Sequence, residues 1–311
     1  MTVKIAIFAD EKGWHTRELL REFKVRGLNS RCVDLANCFI ETKKENSVLS
    51  IPGFLNDLPK FAFVRGIASG TLEQITKRLA ILHLLSTQGV KVVNKATAIE
   101  RSVDKGVTSY LLKRNNIPTP NFWVGESSCI AKKIILKSHS KGKSVVLKPI
   151  LGSQGQGLFL FDKDNKEAIS NLSDEMAKGG VFYLQEFVTS SEKDQSYDFR
   201  VLVIKKKAIA AMKRTGSNWI HNRALGAKCE KVNLTKNLKR LSEKAAKVLD
   251  LDIAGVDLIP DMSTSEEFQV LEVNAVPAWR GIQSISNFNI TKKILDILLL
   301  KENFDSTKKF L

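Results

Sequence analysis

Continuous apolar runs alternate along the chain with segments in which apolar residues return every three or four positions. This is the pattern of strands alternating with amphipathic helices. Residues 3–9, VKIAIFA, predict a buried strand. From about His15 to Arg26, Leu19, Leu20 and Phe23 stand at helical spacing, and Gly27 ends the helix. A short strand, RCVDLA, follows, and FAFVR at 61–65 predicts another. Gly66 and Gly70 form a loop, Thr71 caps a helix running to about Gln88, and VKVVN at 90–94 adds a strand. Residues 1–96 therefore read as a small α/β domain. It has no GxGxxG between its first strand and helix, so the dinucleotide fingerprint is absent.

The texture changes at Ile99. Asp104 and Lys105 open a helix, Pro118 and Pro120 stop it, FWVGE is a short strand, and Ser127 to Lys137 is helical. SVVLKPILGSQGQGLFLF at 144–161 has two apolar strands around a loop holding Gly152, Gly155 and Gly157. A helix around Asn165 to Lys178 precedes the strand VFYLQEFV at 181–188, which closes a second domain, 97–188. The third, 189–311, starts with a hairpin in which Asp198 and Arg200 lie on one arm, Arg214 on the other, and Lys205 to Lys207 at the tip. WIHNRALGAKCE at 219–230 reads as a polar loop, and Leu238, Leu241, Ala245 and Val248 define a helix from about Leu234 to Leu249. Two strands follow, IAGVDLIP and FQVLEVN, and a last helix runs from about Thr291 to Lys301. The fold class is α/β with α+β lobes.

Composition narrows the classes. The 311 residues are 43% hydrophobic and 26% charged, ordinary for a globular protein. ILDILLL at 294–300 is too short to span a bilayer, and the first residues lack a signal-peptide shape. A cytoplasmic protein with no membrane partner is expected. The four cysteines show neither CxxC spacing nor pairing with histidines, which favours ordinary thiols over zinc or disulfides. The net charge of +16 comes from lysine spread over the whole chain. Without aromatic residues interleaved among the basic ones it reads as a solvated surface rather than a nucleic-acid partner, with a share in attracting anionic substrates as the minor reading.

The chemistry concentrates in LEVNAVPAWRGIQ, 271–283. Glu272 and Asn274 are two residues apart on a strand and so share a face. With Asp257 on the strand before, they supply oxygens suited to a hard cation such as magnesium. The loop 152–157 has strands on both sides and lacks the GK[ST] ending of a Walker loop. It is either a plain turn or a flap whose backbone N–H groups approach phosphate, with Lys148 on the feeding strand. Gln185 to Val188, at a strand end, can offer adenine backbone groups and apolar walls. Arg200 and Arg214 reach the open end of the hairpin, where two guanidiniums would stabilise a phosphoryl group, and Asn222 can orient phosphate or substrate. His221 reads as structural. Arg65 follows a strand in a usual ligand position, although a surface arginine paired with an acid fits equally.

In this order, Asp104-Lys105, VVLKPILGSQGQG, QEFV, DFR with MKR, AGVDLI and LEVNAVP resemble the marks of the ATP-grasp superfamily, within the RimK-type α-L-glutamate ligases. The resemblance spans nearly the whole chain. GWHTREL, FVRGIASGTLEQ, WIHN and NAVPAWRGIQ are most similar to a methylotroph and methanogen branch associated with tetrahydromethanopterin. It implies a Rossmann-like pre-ATP-grasp domain followed by two lobes around ATP. Lys105, Lys148, Gly152, Ser153, Gln154, Gly155, Gly157, Gln185, Glu186, Phe187, Val188 and Asp198 would attend ATP. Asp257, Glu272 and Asn274 would hold one or two magnesium ions, with manganese possible. Arg200, Arg214 and Asn222 would serve an acyl phosphate, and glutamate would be joined to a small-molecule acceptor. A dimer or tetramer is also implied.

The chain departs from the usual RimK pattern after Asn274, where Val276-Pro277-Ala278-Trp279-Arg280 replaces the usual small residue, Pro and Gly-Leu-x-Gly. This favours a small acceptor over a protein tail, and it makes Trp279 and Arg280 candidates for recognising the acceptor's ring and charge. A peptide, a protein tail or another carboxylate remains an alternative acceptor. A basic nucleic-acid-binding protein with a degenerate ATP site is the alternative of another class.

Overall fold

In the computed structural model, Ile5, Ala6, Ile7 and Phe8 are all fully buried, as a strand covered on both faces requires. The structure describes residues 4–43, 46–54, 57–152, 157–165, 169, 172, 176, 180–188, 196–216, 219, 226–261 and 267–300. Two compact units emerge: 1–99 with 251–253 and 275–311, and 100–250 with 254–274.

The first unit is built on β1 (Ile5–Phe8), β2 (Ser30–Val33), β5 (Phe61–Val64) and β6 (Lys91–Val93), paired in the order β2-β1-β5-β6, every pair parallel. Helix α1 (Trp14–Val25) buries Leu19 and Phe23, and α2 (Leu72–Thr87) buries Ile81, Leu82 and Leu85. Thr71 forms a full capping box with Gln74, so the cap read from the sequence is present. A hairpin, β3 (Phe39–Lys43) with β4 (Asn46–Ser50), and helix α3 (Ala96–Val103) are elements the hydrophobic pattern did not signal.

The second unit carries two sheets. Strands β7 (Phe122–Gly125), β8 (Val145–Lys148), β9 (Phe159–Phe161) and β10 (Phe182–Glu186) pair antiparallel in the order β7-β10-β8-β9. Helix α4 (Lys105–Arg114) starts on the Asp104 side chain, which accepts from the N–H of Val107, and α5 (Ser128–His139) starts on Ser127. Ala131 and Ile135 of α5 pack on Val145, Leu147, Phe161, Phe182 and Leu184 in one apolar cluster. The other sheet runs β13-β12-β11-β14-β15, from β11 (Ser196–Ile204), β12 (Lys207–Gly216), β13 (Lys228–Val232), β14 (Ile253–Pro260) and β15 (Phe268–Asn274). Helix α6 (Lys236–Val248) packs against β11, β12 and β15. Part of the stretch read as a loop, 219–230, is therefore strand: Lys228 to Val232 forms an edge strand with exposed and half-buried residues, and polar positions there gave no strand signal. The helix expected around Asn165 to Lys178 falls mostly outside the described residues.

The chain then returns to the first unit with α7 (Arg280–Gln283) and α8 (Ile290–Leu299). Buried Asn94 fastens these returning segments. Its Nδ2 donates to the carbonyls of Ile253 and Ala275, both at 2.7 Å, and its Oδ1 accepts from the N–H groups of Asp252 at 2.6 Å and Ile253 at 3.0 Å. Arg26, at the C-terminal cap of α1, ties α8 through Asp296 at 2.5 Å. Among the described residues no helix is long and apolar enough to cross a membrane.

Candidate active site

β14 and β15 lie antiparallel with Asp257 opposite Glu272 and Gly255 opposite Asn274, so the two carboxylates are cross-strand neighbours. Asp257 is 5% exposed. Arg200 grips it side-on, with Nε and Nη2 each 2.6 Å from a carboxylate oxygen, and Nη2 of Arg214 reaches it at 3.0 Å. Arg214 in turn holds Asp198, its partner in the β11–β12 register, through Nε at 2.7 Å and Nη2 at 2.5 Å. Burial pushes the Asp257 carboxyl up, but the two guanidiniums outweigh it and hold the group below the ordinary carboxylate range. Burial pushes the Asp198 carboxyl up to about 6 against the pull of Arg214. For Arg214, burial works against the charge, yet Asp257 and Asp198 together raise it above an ordinary guanidinium.

The two hairpin arginines thus converge as their spacing predicts, but on carboxylates. The sequence reading treated Arg200 and Arg214 as phosphoryl ligands and Asp257 as a metal ligand, with separate tasks. In the structure they form one buried charge network, in which Arg214 and Asp198 are each 4% exposed. Asp198 is the structural partner of Arg214.

Two lysines lie in the field of these acids, Lys105 in that of Glu272 and Lys148 in that of Glu272 and Asp257. Lys105 opens α4, and its Nζ donates to the Gly152 carbonyl at 2.8 Å, at the foot of the flap. Lys148 ends β8, and its Nζ donates to Gln185 Oε1 at 2.6 Å. Gln185 donates to the Tyr183 hydroxyl at 3.0 Å, which meets Ser109 Oγ at 2.8 Å. Gln185 is 1% exposed, and its side chain positions Lys148. The period-2 alternation of YLQE on a strand pairing with the lysine strand was the available signal for this buried chain. Gly157, at φ +68°, would place a Cβ 2.8 Å from Pro149 Cγ, so this end of the flap requires glycine. Ser153, Gln154 and Gly155 lie outside the described residues, as do Asn222 and His221.

Burial pulls the Lys148 ammonium down to about 8, opposed by Glu272 and helped by the Lys105 charge. The charged form is the one that attracts phosphate. Because this value lies below that of an ordinary lysine, the cation is present below pH 8 and lost above it. The contribution of Lys148 to nucleotide affinity is therefore expected to be flat below about pH 8 and to fall by up to about tenfold per unit above it. Titration of ADP at several pH values checks this, and Lys148→Met should abolish the limb.

At the end of β10, Glu186 is fastened by Asn121 Nδ2 at 2.7 Å and by Lys143. Its N–H donates to the Asn121 carbonyl at 2.8 Å, and that of Phe187 to the Ser144 carbonyl at 2.9 Å. Phe187 meets Trp219 edge-on at 5.8 Å.

The acceptor candidates sit in the first unit. Trp279 is fully buried, its Nε1 donating to Thr291 Oγ1 at 2.9 Å and its ring edge-on to His15 at 4.7 Å. A ring enclosed by its own protein cannot stack on an acceptor, so that expectation is corrected: Trp279 is core. Arg280 is exposed, and its N–H donates to His15 Nε2 at 3.2 Å. Arg65 donates from Nη1 to the Pro277 carbonyl at 2.8 Å and lies 4.6 Å above the Trp279 ring.

Asp257 and Glu272 offer carboxylate oxygens, and Asn274 turns its Nδ2 toward the Gly255 carbonyl at 3.4 Å, which leaves its amide oxygen as a donor atom. An all-oxygen set with an ionised carboxylate fits a hard divalent cation and not a soft one. Among the described residues no three acidic, thiol or imidazole groups cluster to hold an ion; the set here is two acids and an amide.

Comparison with known proteins adds two family matches: a RimK PreATP-grasp domain over residues 3–99 and a RimK-like ATP-grasp domain over residues 102–298. The chain is 34% identical over 300 residues to the tetrahydromethanopterin:alpha-L-glutamate ligase of Methanocaldococcus jannaschii, covering 96% of this chain and 98% of that one. It is 30% identical to the protein of that name from Methanococcus maripaludis, over 94% and 97% of the two chains. Among solved structures, the ATP-grasp ligase PsnB complexed with minimal precursor, Mg and ADP superposes with a TM-score of 0.71 at 18% identity, covering 96% of this chain and 98% of that one. With a RimK PreATP-grasp domain followed along the chain by a RimK-like ATP-grasp domain, this chain belongs to the RimK-like ATP-grasp family of ATP-dependent carboxylate–amine ligases.

Proposed function

We propose that this ligase joins the α-amine of L-glutamate to a carboxylate of tetrahydromethanopterin or a closely similar coenzyme, forming ADP and phosphate. The observation that supports the site assignment is the cross-strand pair Asp257 and Glu272, whose field reaches Lys148, held by Gln185, and, from Glu272, Lys105, held by the Gly152 carbonyl. Support for the substrates comes from the two methanogen relatives, whose likeness runs over nearly the full length of each chain.

In this reading Lys105 and Lys148 hold the phosphates, and the flap from Gly152 to Gly157 covers them. Glu186, Phe187 and Val188 enclose adenine. The acceptor carboxylate attacks the γ-phosphorus, the bond to ADP breaks, and an acyl phosphate forms. The amine of glutamate then attacks the acyl carbon, phosphate leaves, and the amine proton passes to solvent. Positioning and charge neutralisation carry both steps, so no protein nucleophile is needed. Arg200 and Arg214 keep Asp257 ionised, and Arg200 borders the site where negative charge gathers. Magnesium, as one or two ions with manganese as a substitute, would be held by Asp257, Glu272 and Asn274 and would neutralise phosphate charge.

The test is incubation of the full chain with ATP, magnesium, L-glutamate and tetrahydromethanopterin, followed by mass analysis of the pterin. A gain of one glutamyl unit matched by ADP is expected. ADP formation that occurs only with a peptide or another carboxylate, leaving the pterin unchanged, would overturn the acceptor assignment.

A further inference from the structure

Arg65 follows directly on β5, at the C-terminal edge of the parallel sheet, where open α/β sheets place their ligands. Its surroundings are unusual for an arginine that is half-buried. Nη1 is used by the Pro277 carbonyl, and one face of the guanidinium lies 4.6 Å from the Trp279 ring. Nε is shut off from solvent and has no acceptor. Among the described residues no carboxylate lies within ion-pairing distance. Arg26, Arg200 and Arg214 each meet at least one acid, and Arg78 is satisfied by the carbonyls of Ala68 and Ser69.

A desolvated cation without a counter-charge is costly, and the Pro277 carbonyl and the Trp279 ring offset that cost only in part. Burial accordingly pulls the Arg65 guanidinium down to about 10, with no acid opposing it. The platform beneath it is rigid. Trp279 is locked by Thr291, by His15 and by Phe63, whose ring centroid is 6.5 Å away. The carbonyl and the ring fix the plane of the guanidinium, leaving the edge formed by Nε and Nη2 as the side with donors to spare. That edge matches a carboxylate in the two-pronged manner seen between Arg200 and Asp257.

We propose that Arg65 is a substrate-carboxylate clamp, held in register by the Pro277 carbonyl and the Trp279 ring, so that Trp279 acts as a positioning residue and not as a ligand contact. The proposal rests on the ligase reading for the source of the carboxylate, which is either L-glutamate or the acceptor. It does not rest on that reading for the anion site itself.

The experiment compares the full-length protein with Arg65→Met and Arg65→Lys. The KM values for L-glutamate, the pterin acceptor and ATP are measured separately, alongside calorimetric titration of each carboxylate compound and thermal unfolding. In Arg65→Met the constant for one carboxylate substrate should rise about tenfold or more, with the KM for ATP unchanged and the melting temperature equal or higher. The substrate whose constant moves is the one held. Arg65→Lys, which keeps the charge and loses the fork, should fall between.

Carboxylate constants within twofold of the wild type in Arg65→Met would overturn the proposal. So would a lowered melting temperature with all three constants shifting together, which marks a structural role. If the wild type makes no glutamylated pterin, the ligase reading fails on its own, and the titrations decide the clamp. Binding of either compound that is lost in Arg65→Met sustains it. Unchanged binding, or no binding of either compound by the wild type, ends it.

Discussion

Glu272→Ala is expected to lower ADP formation about a thousandfold or more, while urea unfolding stays within about 1 kcal/mol of the wild type. The reason lies in its place on β15. Val270 and Val273 are the strand's fully buried residues, whereas Glu272 is only half-buried. Its carboxylate stands beside Asp257 across the strands, and each half of an oxygen-donor pair is needed to hold a hard cation against phosphate. A second signature separates this effect from simple damage. Glu272 supports the charge on both Lys105 and Lys148. Removing it should therefore lower Lys148 further, and the alkaline loss of ADP binding should begin below pH 8. Full activity in the variant, or an unmoved alkaline limb, would remove Glu272 from the site.

Arg214→Leu is expected to cost stability of about 3–5 kcal/mol in urea unfolding, because it strips the partner from Asp198 in a buried pair. The same change also takes one of two guanidiniums from Asp257. The double change Asp198→Leu with Arg214→Leu removes both charges of that pair. It should recover about 1–2 kcal/mol relative to the single change. Neither variant should be active, since Asp257 loses part of what keeps it ionised. A single change costing less than about 1 kcal/mol would place the pair on the solvated level of surface bridges.

How far these arrangements could be read in advance depended on whether the deciding force was local. Thr71, Asp104 and Ser127 cap their helices through hydrogen bonds spanning three residues, so the caps stood in the sequence. The pairing of the two strands on either side of the glycine-bearing loop was equally local. The pairing of Asp257 with Glu272 was not, because it depends on a cross-strand register that shifts between Asp257 and Leu258. Two residues on one strand are enough to suggest oxygen ligands, but only the register brings the second acid beside the first.

Trp279 was misread for a related reason. An aromatic next to Arg280, between Pro277 and Gly281, looks like an exposed loop residue. Its burial is imposed by His15, far away in sequence, which accepts from the backbone of both Trp279 and Arg280. Gln185 shows the same limit. It stands at a strand end beside Glu186, and its burial follows from β10 lying between β7 and β8. The arginines were placed at the right end of their hairpin, but a charge reading of one strand at a time could not show that Asp198 and Asp257 would meet them.

In the proposed reaction the acceptor carboxylate is activated by direct transfer of the γ-phosphoryl group. The most direct measurement uses an acceptor whose carboxylate carries heavy oxygen, turned over with ATP, magnesium and L-glutamate, with the released phosphate examined by mass. Transfer of one heavy oxygen from the acceptor to phosphate is the predicted result. Phosphate released with no heavy oxygen, while glutamylated product accumulates, would contradict the account.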